Sequence, residues 1–208
     1  INLKSITPVI AARCPTPSGL RKEWLIFPVE CAVMNRCPLL LIGGDGHCRS
    51  CIDVIEATRA FEIVGIVEAN QQAKDNAVMT ESNAYPIVGI DADLPELIKQ
   101  TPSCHISLGY VNSPNHRERL FTQLKALGAK FPAIISPHAY VSATAKIGEG
   151  TIVMHQALVN AHARVGQNNI INSQSLVEHD CSLGHHVHIA TGAKINGQVK
   201  VGDGCMIG

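Results

Sequence analysis

The 208 residues carry seventeen basic and seventeen acidic side chains, with no basic block suited to nucleic acid and no acidic tail. No run of eighteen apolar residues exists, so no membrane span is predicted, and aromatics at 4% leave a core that must be largely aliphatic. Eight cysteines include a single CxxC, Cys48 to Cys51, without a second pair to complete a zinc site, so the thiols are expected to be reduced and idle in a cytoplasmic protein.

Residues 1–33 show no sustained period, whereas Met34 opens a clean apolar run. The natural chain is therefore expected to begin at Met34, with 1–33 a non-native or disordered leader. Leu39 to Ile42 reads as a short buried strand. Gly43-Gly44-Asp45-Gly46-His47 comes next, then a helix from about Cys48 to Ala57. Strand, glycine turn and helix form a unit able to cradle an anion, because backbone N–H groups and the helix N-terminus converge there. The next strand, Phe61 to Glu68, ends in an acid about twenty residues beyond the turn, where a carboxylate often bonds a ribose hydroxyl. Tyr85 to Ile90 and Cys104 to Gly109 read as further strands, and Leu94 to Gln100 and Pro114 to Leu127 as helices. Strands alternating with helices predict a Rossmann-like parallel sheet over 34–132, with Phe131 to Tyr140 as a bridge to a second, differently patterned region.

A period of six governs 133–208. Val141, Ile147, Val153, Val159, Val165, Ile171, Val177, Leu183, Ile189, Ile195, Val201 and Ile207 lie six apart, and all are aliphatic. Gly148, Gly166, Gly184 and Gly202 recur at eighteen, the length of one triangular coil of three hexapeptides. Four residues after the aliphatics come mostly small groups, including Ala145, Ala157, Ala163, Ser175 and Cys181. This is the hexapeptide pattern of a left-handed parallel β-helix, and neither a 3.6 nor a two-residue period accounts for it. The pattern runs to Gly208 without a cap, so the β-helix is expected to continue past it.

Two stretches, Leu41 to His47 and Val177-Glu178-His179-Asp180-Cys181, together resemble the nucleotide-sugar acetyltransferases related to sialic acid O-acetyltransferase and to the UDP-4-amino-sugar N-acetyltransferases of bacillosamine synthesis. The resemblance implies a homotrimer with active sites between neighbouring β-helices. Acetyl-CoA is the co-substrate and no metal is expected. His179 is implied as general base, supported by Asp180. Gly43, Gly46, His47, Glu68, Gly109 and Arg117 are implied to hold the nucleotide-sugar acceptor, with Asn172 close to it. His188 and Gly192 are implied on the acetyl-CoA side.

The chemistry suits these residue types. A thioester is already activated, so the protein must align two substrates, take one proton and stabilise an oxyanion. A histidine near neutrality serves the proton transfer, and a carboxylate can fix its tautomer. Glu178 and Asp180 both flank His179. In an extended segment, however, alternate residues face opposite sides, so neither neighbour need reach the ring. Cys181 falls at a small inward position and reads as a core thiol. Three alternatives stay open on the sequence alone. They are O-acetylation of a sialic acid or another sugar hydroxyl, a zinc-dependent β-helix enzyme of carbonic anhydrase type built on His185, His186 and His188, and a non-catalytic trimerising scaffold.

Overall fold

The computed structural model describes residues 36–69, 77–79 and 84–208, and the expected leader and start at Met34 lie outside them. The front part opens with strand β1 (Cys37–Ile42) and helix α1 (Gly46–Thr58), then β2 (Phe61–Glu68), β3 (Ala77–Met79) and β4 (Ala84–Ile90). A short turn at Asp91–Asp93 leads into α2 (Leu94–Gln100), β5 (Cys104–Ile106) and α3 (Asn115–Ala126). The sheet order is β3-β4-β2-β1-β5, parallel except for β3, an edge strand that the sequence pattern does not predict. The chain thus steps outward from β1 to β2 and β4, then returns to the other side of β1 as β5. That reversal opens a crevice beyond the carboxyl ends of β1 and β5, where open α/β sheets bind ligands.

β1 is buried on both faces. Leu39 and Leu41 pack with α1, while Leu40 and Ile42 pack with α2 and α3. Alternation along the strand produces the split. α1 is itself enclosed on two sides. Cys48, Cys51, Ile52 and Ile55 share one core with β1 and with Ile134, Ile152 and Ile170 of the second part, so the helix is the shared wall between sheet and prism.

From Ile134 onward thirteen two-residue strands wind into a triangular prism of left-handed β-helix type. Each residue pairs in parallel with the one eighteen positions on, as in Leu158↔Leu176, Arg164↔Ser182 and Ile170↔His188. The first strand, Ile134–Ile135, pairs with Ile152–Val153, so the segment expected to be a bridge already contains the first rung. The aliphatic of each hexapeptide points inward, and the third residue after it turns the corner in the left-handed region, as at Gln156, Asn168, Asp180 and His186.

The prism has three unlike faces. One carries Ile134, Ile152, Ile170 and His188 outward and is covered by the front part. A second carries Tyr140, Leu158, Leu176 and Lys194, and a third Lys146, Arg164, Ser182 and Lys200.

The interior is not wholly apolar. Asn169 is fully buried at an inward position. Its Nδ2 donates to the Gly184 carbonyl (2.8 Å), and its Oδ1 accepts from Val187 N–H (2.5 Å). Its own N–H donates to Thr151 Oγ1 (3.1 Å), whose hydroxyl donates to the Gly166 carbonyl (2.8 Å). Asn169→Ala strips partners from the buried Val187 N–H and the part-buried Gly184 carbonyl, and we expect it to lower unfolding free energy by about 1–3 kcal/mol. Urea unfolding of the variant reads this as a lower midpoint, and an unchanged midpoint would refute the account.

Candidate active site

His179 stands at a corner of the prism, after the strand Leu176–Val177. Its Nδ1 lies 2.9 Å from Asp180 Oδ2, with both side chains half exposed. The extended-chain objection to this pairing fails because Asp180 is not extended. At φ 58° it occupies the left-handed corner position, which swings its carboxylate back over the preceding residue's ring. The hydrogen bond to Asp180 raises the His179 pKa above its ordinary value. With Nδ1–H donating to Asp180, Nε2 is left as the acceptor that a general base needs.

Glu178 does not touch the ring. Its Oε2 accepts from the backbone N–H of His179 (3.0 Å) and from Asn160 Nδ2 (2.8 Å), bonds that lower its pKa and hold the corner. Gly197, one coil further on, forms the floor under the imidazole. A Cβ there would fall 2.7 Å from His179 Nε2. Cys181 is buried in the prism, its Sγ 3.0 Å from the Asn196 carbonyl.

A second group of residues gathers at the crevice. Gly43 has φ 98°, and a Cβ on it would lie 2.2 Å from Leu108, so the turn after β1 requires glycine. Its N–H donates to the Val67 carbonyl (2.8 Å), and its own carbonyl accepts from Ser107 Oγ (2.6 Å). Gly43 and Glu68 line one cleft of about 290 Å³ together with Asp45, Asp91 and His116. Gly46 opens α1 with free space around it, and Asp45 before it makes no side-chain cap. The Cys48 N–H donates to the Asp45 carbonyl (2.9 Å), which leaves the first two N–H groups of this thirteen-residue helix, those of Gly46 and His47, for an anion.

A third group links front part and prism. His47 and His188 face each other with ring centroids 6.5 Å apart, and Gly109 packs on His47, where a Cβ would meet the His47 side chain at 3.3 Å. Burial, aided by Arg117 and His188, depresses the His47 pKa to about 4, so that ring is neutral. His188 is lowered by burial as well. Asn172 Nδ2 lies 3.2 Å from His188 Nε2. Gly192 sits at the same corner in the left-handed region (φ 72°), its N–H on the Ser173 carbonyl (2.9 Å) and open space above it.

Arg117, implied on the acceptor side, does not line the cleft. It is fully buried, with Nη1 donating to the carbonyls of Ile106 (2.8 Å) and Leu108 (2.5 Å) and Nη2 to Asn168 Oδ1 (2.7 Å). Burial lowers it to about 10, which still leaves it charged at neutrality. It braces the end of β5 against the prism. Its spacing carries the reason: Arg117, Leu120, Phe121 and Leu124 form the buried stripe of α3.

Two residues of the site escape the sequence reading. Gly197 is one, although the eighteen-residue coil places it under His179. Tyr110 is the other, because no local pattern announces its contacts. The histidines considered for zinc do not converge. His185 Nδ1 accepts from Gln167 N–H, His186 Nδ1 meets Asn168 Nδ2, and His188 Nδ1 meets the Tyr110 carbonyl. Among the described residues no three His, Cys, Asp or Glu side chains are grouped to hold a metal ion.

Comparison with known proteins agrees with this fold. Residues 38–124 match the PglD N-terminal domain family. Among solved structures, a histidine-to-asparagine variant of perosamine N-acetyltransferase from Caulobacter crescentus, in complex with CoA and GDP-perosamine, is 29% identical with a TM-score of 0.70. The similarity covers 78% of this chain and 73% of that one. The acetyltransferase domain of PglB from Neisseria gonorrhoeae, in complex with acetyl coenzyme A, is 25% identical with a TM-score of 0.69, covering 81% of this chain and 86% of that one. WeeI from Acinetobacter baumannii shares the fold at 20% identity and a TM-score of 0.64, over 79% and 74% of the two chains. No curated protein matches. Residues 38–124 thus match the PglD N-terminal domain family, and the chain is an acyltransferase similar in fold and sequence to nucleotide-sugar N-acetyltransferases.

Proposed function

We propose that this protein transfers an acetyl group from acetyl-CoA to the amino group of a nucleotide-linked amino sugar in surface glycan synthesis, with His179 as the general base. The observation that carries the reading is the His179–Asp180 pair, in which Asp180 takes Nδ1 of a half-exposed ring seated on Gly197 and so leaves Nε2 as the nitrogen to accept a proton. Asp180 fixes the ring, and His179 takes the proton as the amine attacks the thioester carbon and the thiol of CoA leaves. The similar Caulobacter and Neisseria structures, which hold CoA with GDP-perosamine and acetyl coenzyme A respectively, support the substrate classes.

For the acceptor, the cleft shared by Gly43 and Glu68, with Gly46 at the head of α1, offers N–H groups for a diphosphate and carboxylates for ribose hydroxyls. In this reading His47 and Gly109, which pack on each other next to Leu108 of the cleft wall, extend it toward the prism. For acetyl-CoA, the corner of His188 and Gly192 is the landing surface, with the open backbone at Gly192 free for close approach, and Asn172, bonded to His188, stands where the acceptor would meet the acyl group.

The active unit in this reading is a homotrimer. His179 comes after the strand Leu176–Val177, while Asn172 and His188 belong to the corner before it, so one chain holds the two groups at opposite ends of one prism side. A second copy can bring its His179 to the first copy's Asn172 corner. The outward column Tyr140, Leu158 and Leu176 supplies an apolar face for that contact. We assign the reaction to the cytoplasm because both substrates are made there. Among the described residues no helix is long and apolar enough to cross a membrane.

The deciding test mixes the protein with acetyl-CoA and UDP-, dTDP- and GDP-linked amino sugars and monitors free thiol. Turnover with one amino sugar is expected. Turnover only with hydroxyl acceptors such as sialic acids would replace N- by O-acetylation, and none with either would overturn the acetyl-transfer reading.

A further inference from the structure

Tyr110 joins the front part to the prism by both of its polar groups. Its backbone carbonyl lies 2.7 Å from His188 Nδ1. Its phenol donates to the His186 carbonyl at 2.5 Å and lies 3.0 Å from the Cys205 carbonyl one coil on. Its ring meets His188 edge-on, with centroids 5.4 Å apart. A carbonyl can only accept, so the His188 proton resides on Nδ1 and Nε2 is an acceptor. Nε2 in turn takes a hydrogen from Asn172 Nδ2 at 3.2 Å, while Asn172 Oδ1 accepts from the Ser173 N–H at 2.8 Å. Both ends of the Asn172 amide are therefore specified, and one N–H of its Nδ2 remains for a substrate oxygen.

We propose that Tyr110 is a positioning residue for acetyl transfer: it locks His188 as the neutral Nδ1–H tautomer, and His188 orients Asn172 so that the remaining amide N–H is presented to the reacting acyl group. The proposal rests on the acetyltransferase reading for its last step only. It makes His188 a hydrogen-bond acceptor that never carries the transferred proton, and it ties the amide's orientation to the segment leaving β5, at the mouth of the acceptor cleft. Gly109, immediately before Tyr110, packs on His47, so the same segment touches residues of both proposed substrate sites.

The test uses the full chain labelled with 15N-histidine. In the substrate-free protein at neutral pH, His188 is expected to show a protonated Nδ1 and an unprotonated Nε2. Tyr110→Phe keeps the ring and the backbone carbonyl and removes the phenol's bonds to the His186 and Cys205 carbonyls, which anchor that carbonyl against His188 Nδ1. It is expected to give mixed His188 tautomers and a kcat reduced roughly tenfold, with the KM for acetyl-CoA little changed. A His188 protonated on Nε2 in the unmodified protein would overturn the proposal. So would a Tyr110→Phe variant with unaltered His188 signals and unaltered kcat. The histidine spectrum is read without substrate, so absence of turnover in the unmodified protein would count against the acetyltransferase reading and leave the tautomer result to decide the relay.

Discussion

His179→Ala is expected to lower kcat/KM by roughly 10²–10⁴-fold while leaving the fold intact, because the side chain is half exposed and contributes nothing to the prism core. Asp180 provides the finer test. Its hydrogen bond raises the His179 pKa, so the base is charged at low pH and becomes competent only as pH rises through that elevated value. The acid limb of kcat/KM should therefore titrate above about 6.5, the ordinary value for histidine. Asp180→Asn removes the anion. The limb should then move toward lower pH, and the plateau should fall because a less basic imidazole takes the proton less readily. A limb that keeps its position in Asp180→Asn would show that the pair is not what sets the base. An acid limb in His179→Ala identical to that of the unmodified protein would assign the titration to another group.

Most of this arrangement is legible in the sequence because the β-helix turns distance along the chain into position in space. A residue's neighbour above or below is eighteen places away, and its place in the hexapeptide decides which face it occupies. That rule locates His179 on a corner and stacks Asn160 next to Glu178. Applied one coil further, it also puts Gly197 under the ring. The rule deals in positions and is blind to backbone conformation. It treats residues 178–180 as extended, whereas the corner demands a left-handed residue at Asp180, and that single φ brings the carboxylate to the imidazole. The front part is legible differently. β1 announces itself as an apolar run, and Gly43 as the glycine its turn requires. Arg117 is misread when matched as an isolated position, since its surroundings on α3 are Leu120, Phe121 and Leu124 and the guanidinium must satisfy carbonyls inside. Tyr110 lies beyond local patterns altogether. Its partners His186, His188 and Cys205 are 76 to 95 residues away, and only the docking of the sheet on the prism brings them together.

Gly197→Ala is the second large effect expected, and it separates placing the base from possessing it. The added methyl would sit 2.7 Å from His179 Nε2 and 2.9 Å from Cε1, closer than a side-chain carbon approaches other atoms, so the ring must move. The coil itself loses little, since Gly197 does not occupy a left-handed corner; the next residue, Gln198, does, at φ 64°. Thermal and urea midpoints should accordingly stay close to those of the unmodified protein. kcat should fall roughly 10²-fold, because a displacement of about 1 Å at a proton-transfer geometry has consequences of that order. The acid limb should shift as well, because a displaced imidazole gives up the 2.9 Å bond to Asp180 that raises its pKa. Combining the variant with His179→Ala makes the cycle decisive. If the methyl acts only through the ring, the double variant is no slower than His179→Ala alone, since there is no longer a base to misplace. Additive losses would mean that Gly197 contributes to the reaction independently of His179, and the floor beneath the imidazole would then be a binding surface in its own right.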